Sequence, residues 1–77
     1  MPKPRKMNSV AEAVESRGGL SPVAREFGIS PAAVARWVDD GEVPLERLAR
    51  FCELVGSRHP GDYNSEVRKL LRDFAGA

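Results

Sequence analysis

The chain has little of what catalytic and secreted domains depend on. It contains one cysteine and one histidine in 77 residues. A single cysteine excludes an intramolecular disulfide framework and fits a reducing compartment. Nothing near Cys52 in sequence would activate its thiol, and His59 has no second ligand close by. There is no phosphate-cradling glycine motif and no metal-ligand spacing. The expectation is a protein that is not an enzyme, with no metal and no cofactor. No apolar run approaches the length of a membrane span, and Met1-Pro-Lys-Pro-Arg-Lys is not followed by a signal-peptide core. No membrane contact and a cytoplasmic location are expected. Net charge is also scarce: at +1, the chain has no global attraction for nucleic acid, so any such contact needs a local patch.

Punctuation, by contrast, is abundant. Seven glycines and six prolines in one small domain imply several short elements with sharp stops. The length sets a core near the lower limit for independent folding.

The most informative stretch is Leu20 to Trp37, LSPVAREFGISPAAVARW. Ser21-Pro22 and Ser30-Pro31 each read as a helix start. A serine hydroxyl at the N-cap satisfies an orphan N–H, and proline at the first helical position has no donor to lose. Gly28 stands where the first helix must stop in a left-handed conformation. Val23 and Phe27 form an i,i+4 step, and Val34 and Trp37 an i,i+3 step, so each helix has one inward stripe. Two short helices joined by a glycine turn make a helix-turn-helix, whose second helix can enter a DNA major groove.

These residues resemble the helix-turn-helix of Cro-like phage repressors and of Cro-related prophage antitoxins. The resemblance rests on Ala24 in the first helix, Gly28 and Ile29 at the turn, and Val34 and Trp37 in the second helix. One departure stands out. The family often has glutamine at the start of the first helix to touch a phosphate, whereas this chain has Leu20, leaving Ser21 as the substitute donor. The last twenty residues carry no signature of the family.

The rest of the chain reads as scaffold and appendages. Residues 1–7 hold Lys3, Arg5 and Lys6 with Pro2 and Pro4 and no acidic residue, an expected flexible basic arm that either reaches DNA or is simply solvated. A first helix over about 10–17 has a capping-box spacing at Ser9 and Glu12. Asp39-Asp40-Gly41-Glu42 reads as a solvated helix end, since it lacks the spaced oxygen ligands of a calcium loop. A fourth helix runs from Pro44 to about Val55, with Leu45, Leu48, Phe51, Cys52 and Val55 at helical spacing and Gly56 as its stop. Residues 57–63 form a loop. A last helix, capped by Asn64 or Ser65, extends to about Ala75. Its stripe of Val67, Leu70, Leu71 and Phe74 either completes the core or pairs with a second copy.

The expected fold is therefore all-α: a compact bundle of about five short helices containing a helix-turn-helix, lambda-repressor-like or Cro-like. The expected organisation is the arm at 1–7, a DNA-binding domain at 8–56, and a loop with an amphipathic helix at 57–77. If the second helix of the pair enters the groove, Ser30, Pro31, Ala32, Ala35 and Arg36 form its outward face. Arg36 is the strong reader, because its fork can bond guanine O6 and N7 together; its other role is a phosphate contact or an ion pair with Asp39 or Asp40. The alanine methyls can pack on thymine. Ser21 and Arg25 are placed for phosphate, with solvation as the alternative for Arg25. The resemblance implies a repressor that binds double-stranded DNA as a homodimer, nucleoid-associated, at an inverted-repeat operator. The competing expectation is a protein-interaction module that neutralises a partner, as an antitoxin does, favoured by the near-neutral charge and the acids at 39–42.

Overall fold

The computed structural model describes residues 8–76. They form five α-helices: α1 Ser9–Ser16, α2 Leu20–Phe27, α3 Pro31–Asp40, α4 Leu45–Val55 and α5 Ser65–Gly76, with a single 3-10 turn at Pro60–Asp62. Among the described residues there is no strand. The architecture is a small helical bundle, as the sequence predicts. The basic arm, with Lys3, Arg5 and Lys6, lies outside the described residues.

Local chemistry sets most of the boundaries. Ser30 caps α3 by accepting from the Ala33 N–H at 3.2 Å, with Pro31 as the first helical residue. Gly28 ends α2 in the left-handed region at φ 66°, and the Ile29 N–H reaches back to the Ala24 carbonyl at 3.0 Å.

Two helix starts differ from the sequence reading. Asn8, not Ser9, caps α1: its Oδ1 accepts from the Ala11 N–H at 2.7 Å, and Ser9 is already helical. The Ser9–Glu12 box therefore does not form. Ser21 is likewise no cap. Gly18 and Gly19 turn the chain at φ 99° and 107°, which lets Leu20 and Ser21 enter the first turn of α2. Pro22 then falls third in the helix, where its missing N–H is still one of the orphans.

The core is contributed by every helix except most of α5. Val10, Val23, Val34, Val43 and Phe51 are fully buried, with Val14, Ala24 and Leu48 nearly so. Each such aliphatic side chain contributes about 1.5–3 kcal/mol by leaving water. A chain of edge-on aromatic contacts runs through them: Phe27 on Trp37 at 5.3 Å, Trp37 on Phe51 at 6.2 Å, and Phe51 on Tyr63 at 5.1 Å. Such geometry sets a positive ring edge against a negative face.

The segment after α4 is tied down by polar contacts, of which the sequence announces the Asn64 cap alone. The Val43 N–H donates to the Tyr63 carbonyl at 2.7 Å, and Asn64 Nδ2 donates to the Val43 carbonyl at 2.8 Å. Asn64 Oδ1 also caps α5 by accepting from the Val67 N–H at 3.1 Å. Glu42 is not a merely solvated residue: its carboxylate accepts from the N–H and hydroxyl of Ser65. An anion at the positive end of α5 is favoured by the helix dipole.

Helix α5 itself corrects one expectation. Val67 packs against the core, but none of the helix's twelve residues is buried. Leu70, Leu71 and Phe74 are 55, 50 and 77% exposed. Those three do not complete the core of the single chain, because only the first turn of α5 lies against the body. Leu45, placed on the inward stripe of α4 by its spacing, is 55% exposed as well.

Candidate nucleic-acid interface

The α2–turn–α3 unit presents one anchored side and one open side. Val23 and Ala24 hold α2 inward while Val34 and Trp37 hold α3. What these leave free is the outward face. Ser30, Pro31, Ala32 and Arg36 are exposed, and Ala35 is half-buried. Trp37, 7% exposed and flanked by Phe27 and Phe51, belongs to the core and offers no stacking platform.

On α2, Ser21 and Arg25 are exposed. Ser21 sits in the first turn, where backbone N–H groups lack carbonyl partners and the dipole favours an anion. Its hydroxyl does not spend itself on a cap, since the start of α2 has no side-chain cap.

The structure brings two further arginines to this region. Arg47 and Arg50, on α4, share a shallow groove with Arg25, Phe27 and Gly28 at the end of α2, and Glu26 and Glu46 line it too. Arg50 also donates from Nη2 to the Glu26 carbonyl at 3.4 Å, which places a cation at the negative end of α2. Sequence periodicity locates both arginines off the apolar stripe of α4. Nothing local reveals that this face lies beside the α2–α3 turn, twenty-four residues away for the Arg50–Glu26 bond.

The opposite flank of α3 is acidic. Arg36 lines a groove with Ser30 and with Asp40, Glu42, Glu46 and Glu66. Three arginines and two carboxylates thus stand beside the turn before α3, and a groove lined by four carboxylates and Arg36 runs along its side. Phosphate is attracted to the arginines and repelled by the carboxylates. Ser30, Ala32 and Arg36 line the same groove as the four carboxylates, and Glu46 borders both grooves.

Among the described residues no cluster of three or more histidine, cysteine or acidic side chains could hold a metal. His59 is exposed in the loop before the 3-10 turn. The Cys52 thiol is buried, and burial, reinforced by the charge of Asp62, pushes its pKa up. A thiol in that state is a packing group, not a nucleophile. Among the described residues no helix is long and apolar enough to cross a membrane.

Comparison of the chain with protein-family models, curated proteins and solved structures gives no match.

Proposed function

We propose that this chain is a sequence-specific double-stranded DNA-binding transcriptional regulator, acting as a homodimer that places α3 in the major groove. The observation that carries this reading is the division of α3. Val34 and Trp37 fix it to the core, while Ser30, Ala32 and Arg36 stand exposed at its outward face. A helix held that way can present its first two turns to base edges without disturbing the fold. Arg36 supplies bidentate recognition of guanine, and Ala32 and Ala35 supply methyl contacts to thymine. Ser21, Arg25, Arg47 and Arg50 serve as phosphate contacts that set the register. Repression by occlusion of a promoter, as in the Cro-like proteins that residues 20–37 resemble, is the mode of action.

A second reading has its own support. The carboxylates at Asp40, Glu42, Glu46 and Glu66 along the flank of α3 suit a basic protein partner better than a nucleic acid, as an antitoxin-like role would require.

Selection of bound sequences from a random duplex pool at two salt concentrations separates the two. An enriched inverted repeat, with half-sites about 34 Å apart, supports the dimeric regulator. Weak binding without enrichment, vanishing as salt rises, is nonspecific phosphate attraction and favours the protein partner.

A further inference from the structure

We infer that α5 pairs antiparallel with α5 of a second copy, and that each copy's Phe74 enters the groove between α4 and α5 of the other. The inference gives a geometry to the dimer of the proposed function, and its test does not involve DNA.

Beyond its first turn, α5 stands away from the body of the described chain. Twelve residues of α5 include no buried one, and isolated helices of that length are marginal in water. Three large apolar side chains, Leu70, Leu71 and Phe74, stand at least half exposed on it. Leu45 extends the same apolar surface at the base of α5, since Leu45 and Val67 line one groove. Together these side chains leave about 400–500 Å² of apolar surface on each copy, as large as the largest patch of a typical monomer. Across a two-fold pair that is roughly 800–1,000 Å², which approaches a specific interface once the flanking side-chain stems are added.

The spacing selects the partner. Residues 67, 70, 71 and 74 are symmetric about the midpoint between Leu70 and Leu71. A two-fold axis through that midpoint runs the helices antiparallel, with Leu70 level with the partner's Leu71 and Val67 level with the partner's Phe74. Every apolar position then meets an apolar position, as a self-complementary interface demands. The groove continues the pairing. It is a mainly apolar channel of about 370 Å³ lined by Leu45, Leu48, Ala49, Cys52 and Pro60, with Val67 as one wall and Arg58 as its one charged border. Phe74 of the second copy arrives at the level of Val67, where this channel begins. The most exposed aromatic of the chain thus meets an apolar groove that none of the described residues of a single copy fills.

Sedimentation equilibrium of the full chain tests the association, with disulfide trapping for its geometry. The wild-type chain is expected to be dimeric at micromolar concentration, and Phe74→Asp to weaken dimerisation at least 100-fold. Trp37 fluorescence of that variant should stay native, because Phe74 is 77% exposed. A monomeric wild-type chain at hundreds of micromolar overturns the inference, as does a Phe74→Asp chain that dimerises normally. Trapping is done in a Cys52→Ala background, and it remains decisive should Phe74→Asp fail to fold. Leu70→Cys is expected to cross-link readily, since its copies lie within about 2 Å of each other along the helix axis. Val67→Cys is expected not to, because its copies are displaced by about 10 Å along the axis, beyond disulfide reach. Equal cross-linking of both variants overturns the antiparallel register.

Discussion

Asn64 donates from Nδ2 to the carbonyl of Val43 at 2.8 Å while its own Oδ1 receives the Val67 N–H at 3.1 Å. One buried amide thus joins the connection between α3 and α4 to the start of α5. The Val43 N–H returns a bond to the Tyr63 carbonyl at 2.7 Å, so the two segments are held from both sides.

Replacing Asn64 by Leu is expected to destabilise the fold by about 2–4 kcal/mol. It removes an N-cap and leaves the buried Val43 carbonyl without its donor. Asn64→Asp keeps the cap but sets a carboxylate against that carbonyl, so it should recover only part of the loss. Urea denaturation of the three chains measures both steps. Equal stability of Asn64→Leu and wild type would show that the bond contributes nothing.

A second coupling joins the two ends of the α1–α3 packing. Gly41 ends α3 at φ 70°, and a Cβ there would lie 3.3 Å from Asn8 Nδ2. Gly28 ends α2 at φ 66° with open space around it. Gly28→Ala should therefore cost about 1–2 kcal/mol of backbone strain alone. Gly41→Ala should cost more, because it also presses on the side chain that caps α1 and donates to the Val38 carbonyl at 3.0 Å. In an Asn8→Ala background the difference between the two glycine variants should shrink. A double-mutant cycle reads this directly, and an unchanged difference would place the extra cost elsewhere.

The arginines should separate by role. Arg36→Ala is expected to lose roughly 1–3 kcal/mol of discrimination at one base pair per half-site, with folding unaffected. Arg50→Ala should weaken binding to all sequences alike and reduce the salt slope by about 1. Binding isotherms on selected and scrambled duplexes at several salt concentrations distinguish the patterns. Unchanged operator affinity in Arg36→Ala would remove that residue from the reading face.

What could be read from the sequence was what is decided locally. Ser30-Pro31 and Gly28 act within one turn of their own positions, and the start of α3 and the end of α2 fall where those residues predict. Ser21-Pro22 carries the same signal, yet α2 begins earlier, because two consecutive positive-φ glycines deliver the chain into helical geometry at Leu20. Asn8 outcompetes Ser9 as a cap because its amide has a second task at the Val38 carbonyl. Tyr63, Glu42 and the Arg25–Arg47–Arg50 neighbourhood depend on contacts between segments distant in sequence, for which periodicity holds no information. The α5 stripe was legible as a stripe, but its fate depends on the direction in which the helix leaves the body.

Cys52 ties part of the fold's stability to pH. Its pKa is raised above the ordinary value of 9.0, by burial first and by the charge of Asp62 second. A thiol whose folded pKa exceeds its unfolded one binds its proton more tightly in the native state. Its contribution is fully present below the unfolded value and is lost as pH rises through the folded one. The thiol's contribution should therefore fall above about pH 9, and Cys52→Ala should escape that part of any decline. Groups common to both chains cancel in the difference, so the urea midpoint of wild type minus variant, followed between about pH 7 and 10.5, isolates the thiol. Parallel curves would mean that Cys52 titrates alike in the folded and unfolded chain. A gap that closes with rising pH would show the native fold holding the thiol protonated.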